Sequence, residues 1–192
     1  MAETNSAGSG GEAHRPQREF VRAWKINDLR RDLHRIGAGR SFGKGKVLFS
    51  AADCDQCHRL NRIGGTLGPD LTGVAKRNSR TVILREIIEP SQLIPDKYRS
   101  HQLITSSGKV NQGLVVRQDA DFVYLANDPS KPDELLKIPV DEIEEKTPLA
   151  VSLMPGDLLN TLTREEILDL LAYIEADGRQ DHPVFDPVGD GR

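Results

Sequence analysis

The chain has two cysteines, and they stand beside a histidine in Cys54-Asp55-Gln56-Cys57-His58. Two thiols at this spacing lie one helical turn apart, on one face. Each can form a thioether with one of the two vinyl groups of a haem. The adjacent histidine then lies under the ring and offers a nitrogen to iron. C-x-x-C-H is the attachment signature of c-type haem. Three other uses of these residues are weaker. Zinc wants four ligands, and the remaining histidines, His14, His34, His101 and His182, are scattered and unpaired. A thioredoxin-type dithiol needs a βαβ setting, which the pattern around Cys54 lacks. A disulfide would close only a four-residue loop, a poor staple.

A haem iron has a second axial position. Met154, in Ser152-Leu153-Met154-Pro155, is the one internal methionine. Its ordinary use would be to fill core. Against that, it sits in a loop stiffened by Pro155 and followed by a capped helix. A thioether is a soft, neutral ligand that favours ferrous iron and raises the potential. Iron held by His58 and Met154 is saturated and suits single-electron transfer. An open or histidine-ligated sixth position is the alternative, and it would make the chain a haem enzyme or gas sensor.

Several elements must position these residues. Residues 1–18 read as a disordered polar tail. Residues 19–40 read as an N-terminal helical extension, with helical spacing from Ile26 through Leu29, Leu33 and Ile36 and with Asn27 or Asp28 as N-cap. Gly37–Gly45 is a glycine-rich break, and Gly45–Ala52 a short helix leading to the cysteines. Ile63–Gly73 reads as a loop, and Arg80–Glu89 as a helix that Pro90 ends. Short β-branched and aromatic runs follow at Tyr98–Thr105, Val110–Gln118, Phe122–Ala126 and Leu135–Val140, then the short segment Asp141–Glu145. They predict an antiparallel meander of four or five strands. Thr163-Arg164-Glu165-Glu166 is a capping box before the apolar face Ile167, Leu170, Leu171 and Ile174, with Gly178 as the stop. Residues 179–192 read as a polar tail.

The 192 residues suffice for one medium domain or two small ones. Twenty-six basic against 29 acidic side chains give a net charge of -3, which excludes a strongly basic nucleic-acid binder. No stretch approaches the roughly 20 apolar residues of a membrane span.

Four motifs stand in order along the chain. They are Gly45-Lys-Val-Leu-Phe49 before the cysteines, Gly68-Pro69-Asp70-Leu71-Thr72-Gly73-Val74 after them, Met154-Pro155, and Ile167-Leu-Asp-Leu-Leu-Ala-Tyr173-Ile174. Together they resemble a class I cytochrome c. The resemblance implies an all-α cytochrome fold over residues 41–96 and 148–178, carrying one haem c. It implies that the Pro69 carbonyl orients His58, that Leu71 and Val74 line the proximal haem face, and that Arg77 stands near a propionate. It also implies that Gly45 and Phe49 mark where the first helix crosses the last, near Leu170 and Tyr173.

The chain departs from that family between Cys57 and Met154, which are 97 residues apart. Removing 97–147 restores the spacing of a small class I domain. The expected class is therefore α+β, a cytochrome fold with an inserted small antiparallel β-barrel. The insert resembles an SH3- or Sm-like module. With 7 basic and 9 acidic residues, and without an aromatic–basic stacking face, it is not expected to bind RNA. It is expected to cover a haem edge or to offer a docking or homodimer surface. The combination resembles the haem-binding domain recurrent in planctomycete and verrucomicrobial proteins, where it closes longer polypeptides, often behind a dehydrogenase region. The resemblance implies redox donor and acceptor proteins or a fused dehydrogenase as partners. Haem c is attached outside the cytoplasm, yet the first residues carry no apolar leader. The expectation is a C-terminal piece of a longer exported, periplasmic protein with an added Met1.

Overall fold

The computed structural model describes residues 18–128, 131 and 133–187. Apart from Arg18, the expected tail over 1–18 lies outside them, as do His14 and residues 188–192.

Residues 18–25 run along the segment that precedes the last helix. Val21 and Arg22 donate their N–H groups to the Asn160 carbonyl at 2.8 and 3.1 Å. The buried Trp24 donates its indole N–H to the Leu162 carbonyl at 3.0 Å. Helix α1 (Ile26–Leu29) is a single turn that passes into a 3-10 turn, Arg30–Arg35. The N-cap is Lys25, not Asn27 or Asp28. Asp28 lies inside the first turn, and its carboxylate accepts the Lys25 N–H at 3.0 Å. A 3-10 turn keeps residues three apart on one side, which brings Leu33 and Ile36 to the same core.

Helix α2 (Phe42–Ala51) starts inside the expected glycine break. Ser41 sets that start, because its hydroxyl accepts the Lys44 N–H at 3.3 Å. Helix α3 (Cys54–Cys57) is one turn. The stretch expected as loop begins with half of a small hairpin, β1 (Arg59–Leu60) and β2 (Ile63–Gly64). Asn61 and Arg62 turn it with φ of 48° and 69°, the left-handed pair a two-residue hairpin needs. Helix α4 (Val74–Arg77) follows Gly73, also left-handed at φ 69°. Helix α5 (Arg80–Ile88) is capped by the Ser79 hydroxyl, and Pro90 follows its end.

Five strands form the second body: β3 (Ser100–Thr105), β4 (Val110–Gln118), β5 (Phe122–Ala126), β6 (Leu135–Pro139) and β7 (Ile143–Pro148). Their order is β6-β5-β4-β3-β7, all neighbours antiparallel. Leu103, Val123, Leu125 and Ile138 form its small core. Among the described residues no closed barrel is seen, contrary to the expectation: β6 and β7 are opposite edges. The outer edge is charged, because Glu144, Glu145 and Lys146 of β7 are exposed, and charged edges resist pairing. Arg117 stands 3.8 Å from the centre of the Tyr124 ring and Lys137 3.6 Å from that of Phe122. Each cation covers a ring face rather than leaving it open to a base.

Helix α6 (Arg164–Glu175) is capped as the sequence predicts, with Thr163 and Glu166 exchanging hydrogen bonds. Every residue from Ile167 to Ile174 is buried. It is the centre of the main core, where Leu48, Phe49, Val74, Leu84 and Trp24 also meet. Buried Asp169 is held by the Ser41 N–H at 3.2 Å and by Arg40 at 3.6 Å.

Candidate haem site

Asp53, left-handed at φ 56°, turns the chain out of α2 and into α3. That single turn sets Cys54 and Cys57 one above the other, Cys54 buried and Cys57 half-buried. They are not joined by a disulfide. Burial first, then the Asp55 and Asp53 carboxylates, push the Cys54 thiol up to about 12. Burial and Asp53 also raise Cys57. A redox dithiol needs the opposite, a lowered thiol pKa. Among the described residues no group of three or more His, Cys, Asp or Glu is placed to hold a metal ion, so the zinc alternative gains no partners.

His58 ends α3 and takes an extended conformation. Its Nδ1 lies 2.9 Å from the Pro69 carbonyl oxygen. In the tautomer that donates there, Nε2 is left with its lone pair. Burial holds the His58 pKa below its usual value, and the Pro69 bond offsets that only in part. The ring is therefore neutral at pH 7, the state in which imidazole ligates a metal. The donor on its far nitrogen is the arrangement that fixes a ligating histidine in place.

Glycines make room for this ring and for the backbone turn that carries it. A β-carbon on Gly68 would stand 2.7 Å from His58 Cε1. One on Gly64 would strike the His58 carbonyl, and one on Gly65 the Gln56 carbonyl. The loop that carries Pro69 is pinned to the hairpin beside it. Gly68 donates to the Cys57 carbonyl and Leu71 to the Arg59 carbonyl, both at 2.8 Å. The Thr72 hydroxyl accepts the Asn61 N–H at 2.9 Å, and Asp70 accepts the Thr72 N–H at 2.8 Å.

Leu71 is half-buried against the main core and Val74 is buried in it. Arg77 is exposed and donates to the Thr72 carbonyl at 3.1 Å. The structure thus gathers Cys54, Cys57, His58, Pro69, Leu71, Val74 and Arg77 into one hairpin-and-loop unit. Met154 lines a cleft of about 400 Å³ with Ile88, Pro90, Ser91, Val151 and Gly156. Its loop is held by Ser152, whose hydroxyl accepts the Met154 N–H at 3.1 Å and whose own N–H reaches Ser91 at 3.0 Å.

These residues fit a covalently bound haem. Two thiols stand a turn apart, a neutral imidazole follows them with one nitrogen fixed, and glycine backbone flanks the ring. The helix crossing behind them is direct: a β-carbon on Gly45 would stand 2.6 Å from Tyr173 Cβ, and the Phe49 and Tyr173 rings are 5.7 Å apart. Sequence reasoning missed the part Gly68 plays against the His58 ring and the part Gly64 and Gly65 play against the backbone from Asp55 to His58. The Gly64-Gly65 pair reads locally as a turn, and only the fold shows what the missing β-carbons avoid. It also missed Asp177, which accepts the Gly73 N–H at 2.6 Å.

Residues 42–121 match the family model described as cytochrome c. A cytochrome c domain is therefore present, which supports a class I cytochrome c. Such a domain binds haem c covalently through two cysteines, here Cys54 and Cys57. The match runs on through β3 and β4 and stops before Met154 and α6. A search of curated proteins finds no match.

Proposed function

We propose that this chain passes single electrons between redox proteins through one haem c, with His58 and Met154 as its axial ligands. The observation that carries the reading is the His58 ring. Its Nδ1 is committed to Pro69 at 2.9 Å, while the ring stays neutral and follows Cys57 directly. When bound, the haem supplies a one-electron iron couple. The protein's own residues do the rest. Cys54 and Cys57 tether it, His58 donates Nε2, and Pro69 holds the ring orientation. Leu71 and Val74 give the proximal face an apolar wall, and Arg77 stands by as the cation for a propionate. Met154 is the soft sixth donor. On this reading the chain is not an enzyme. It serves donor and acceptor proteins or a fused dehydrogenase, outside the cytoplasm where haem c is attached. Within class I it belongs with the planctomycete and verrucomicrobial type, its β module an SH3- or Sm-like insert between residues 97 and 147.

The second reading is a haem enzyme or gas sensor with a displaceable sixth ligand. The position of Met154 favours it, on an irregular loop beside an open cleft. The ferric spectrum separates the two. A weak far-red band from iron–thioether ligation, with covalent haem retained on a denaturing gel, is expected. High-spin bands and fast cyanide binding would instead select the second reading. Absence of covalent haem would remove both.

A further inference from the structure

The loop from Gly68 to Gly73 places the Pro69 carbonyl on His58, and nearly all its hydrogen bonds stay within the unit from Cys57 to Arg77. One comes from far away in sequence. Asp177 Oδ1 accepts the Gly73 N–H at 2.6 Å across 104 residues. Asp177 itself stands just past α6 with φ 54°, and Gly178 beside it has φ 66°. A left-handed aspartate is less comfortable than glycine or asparagine there. The conformation aims its carboxylate at the loop. The α6 end that carries it is held rigidly. Glu175 makes a two-armed ion pair with Arg80 at 2.6 and 2.7 Å, and Gly178 donates to the Tyr173 carbonyl at 3.0 Å.

We infer that Asp177 is a positioning residue for His58: by fixing the Gly73 end of the loop, it holds the Pro69 carbonyl on the imidazole Nδ1–H. This rests on the haem reading above. A firm bond at Nδ1 makes the imidazole a stronger electron donor at Nε2, which stabilises ferric iron. Loosening the loop weakens that bond and raises the reduction potential. A carboxylate is a stronger acceptor than an amide, so the effect is graded by the residue placed at 177.

The test compares the holoprotein with Asp177→Asn and Asp177→Gly. Both replacements suit a left-handed backbone at least as well as aspartate does, so neither adds strain that could itself loosen the loop. Hydrogen exchange is followed by NMR at the Gly73 amide and the His58 ring N–H, with the Leu168 amide as internal reference, and the potential is measured in parallel. Asp177→Gly is expected to speed exchange at both sites about tenfold, the loss of roughly one hydrogen bond. It should raise the potential while Leu168 stays at its wild-type rate. Asp177→Asn should fall between the two in both readouts, and it tests the idea alone if the glycine variant does not fold. A series with unchanged His58 exchange and unchanged potential overturns the inference. Wild-type protein without covalent haem overturns the function instead, and Gly73 exchange in that protein still reports whether Asp177 holds the loop.

Discussion

The backbone of Gly45 lies against the side chain of Tyr173. A β-carbon there would stand 2.6 Å from Tyr173 Cβ and 2.5 Å from the Asp169 carbonyl oxygen. Helices α2 and α6 therefore cross backbone to side chain, with the Phe42 and Phe49 rings 5.6 and 5.7 Å from that of the tyrosine. The crossing sits behind the cysteine turn that α2 leads into.

Gly45→Ala sets two effects against each other. Helix propensity gains about 1 kcal/mol, and overpacking against helix backbone costs about 1–3 kcal/mol. The neighbour is backbone that cannot swing away, so a net loss of up to about 2 kcal/mol is expected. Gly43→Ala is the control, because a β-carbon there meets nothing within 4 Å among the described residues. It should gain up to about 1 kcal/mol. Thermal or urea unfolding of the pair reads the difference, and equal shifts would contradict the close crossing.

Cys54→Ser and Cys57→Ser should each leave one thioether at most, and the double variant none. Haem staining on a denaturing gel reads this directly. Because the cysteine turn packs into the main core through buried Cys54, the double variant should also lose helical circular dichroism at wavelengths where α2 and α6 contribute. Full haem retention in the double variant would refute attachment at this site.

Met154→Ala should convert ferric iron from low to high spin and lower the potential, because a thioether favours the ferrous state. Added solvent exposure lowers the potential too, so the ligand itself is the deciding readout. In the reduced wild type, the methionine methyl protons should resonate far upfield, under the ring current of the haem. If they are absent and CO binds fast, the sensor reading gains.

Acid should weaken the start of α6. Burial raises the Glu166 carboxyl, but the Thr163 N–H, Arg18 and the Thr163 hydroxyl outweigh it and leave it below its ordinary 4.5. A carboxylate with a depressed folded pKa adds stability that is complete above 4.5 and lost as pH falls through the folded value. Glu166→Gln should cost about 1 kcal/mol at pH 7 and flatten the stability profile below pH 4.5. Urea midpoints taken from pH 7 to pH 3 test it, and parallel profiles for the two proteins would count against the capping box.

The sheet is entered and left at one place. β3 pairs with β7 from His101–Pro148 onward, and Leu149 donates to the Ser100 carbonyl at 2.8 Å. Replacing residues 100–148 by a short Gly/Ser linker should leave covalent haem and a low-spin spectrum. Loss of either would make the sheet part of the haem pocket.

Some of this was readable in the residues, for physical reasons that differ by element. The cysteine–histidine spacing is local, and the chemistry of a helical turn makes it legible. The α6 start is legible because Thr163 and Glu166 cap it within four residues. The first half of α2 is not, because Gly43 and Gly45 read as breakers while a tertiary crossing demands them. Strand β7 is hidden for the opposite reason: Glu144, Glu145 and Lys146 are polar because the edge is exposed, so no alternation marks it. The openness of the sheet depends on how its edges lie, which local patterns do not encode. Gly68 against His58 and Asp177 against Gly73 are contacts between segments, and no local spacing announces them.

The pairing of β3 with β7 also bears on how the chain finds its shape. Docking α6 on α2 closes a loop of about 110 residues between Ala51 and Arg164. Once the antiparallel sheet has formed, from contacts that are mostly between consecutive strands, the same closure spans only about 60 flexible residues. Loop-closure entropy scales with the logarithm of length, so the sheet lowers this cost by about 0.5 kcal/mol. An insertion that lengthens the polypeptide by about a third thus leaves the distance its ends must search through largely unchanged.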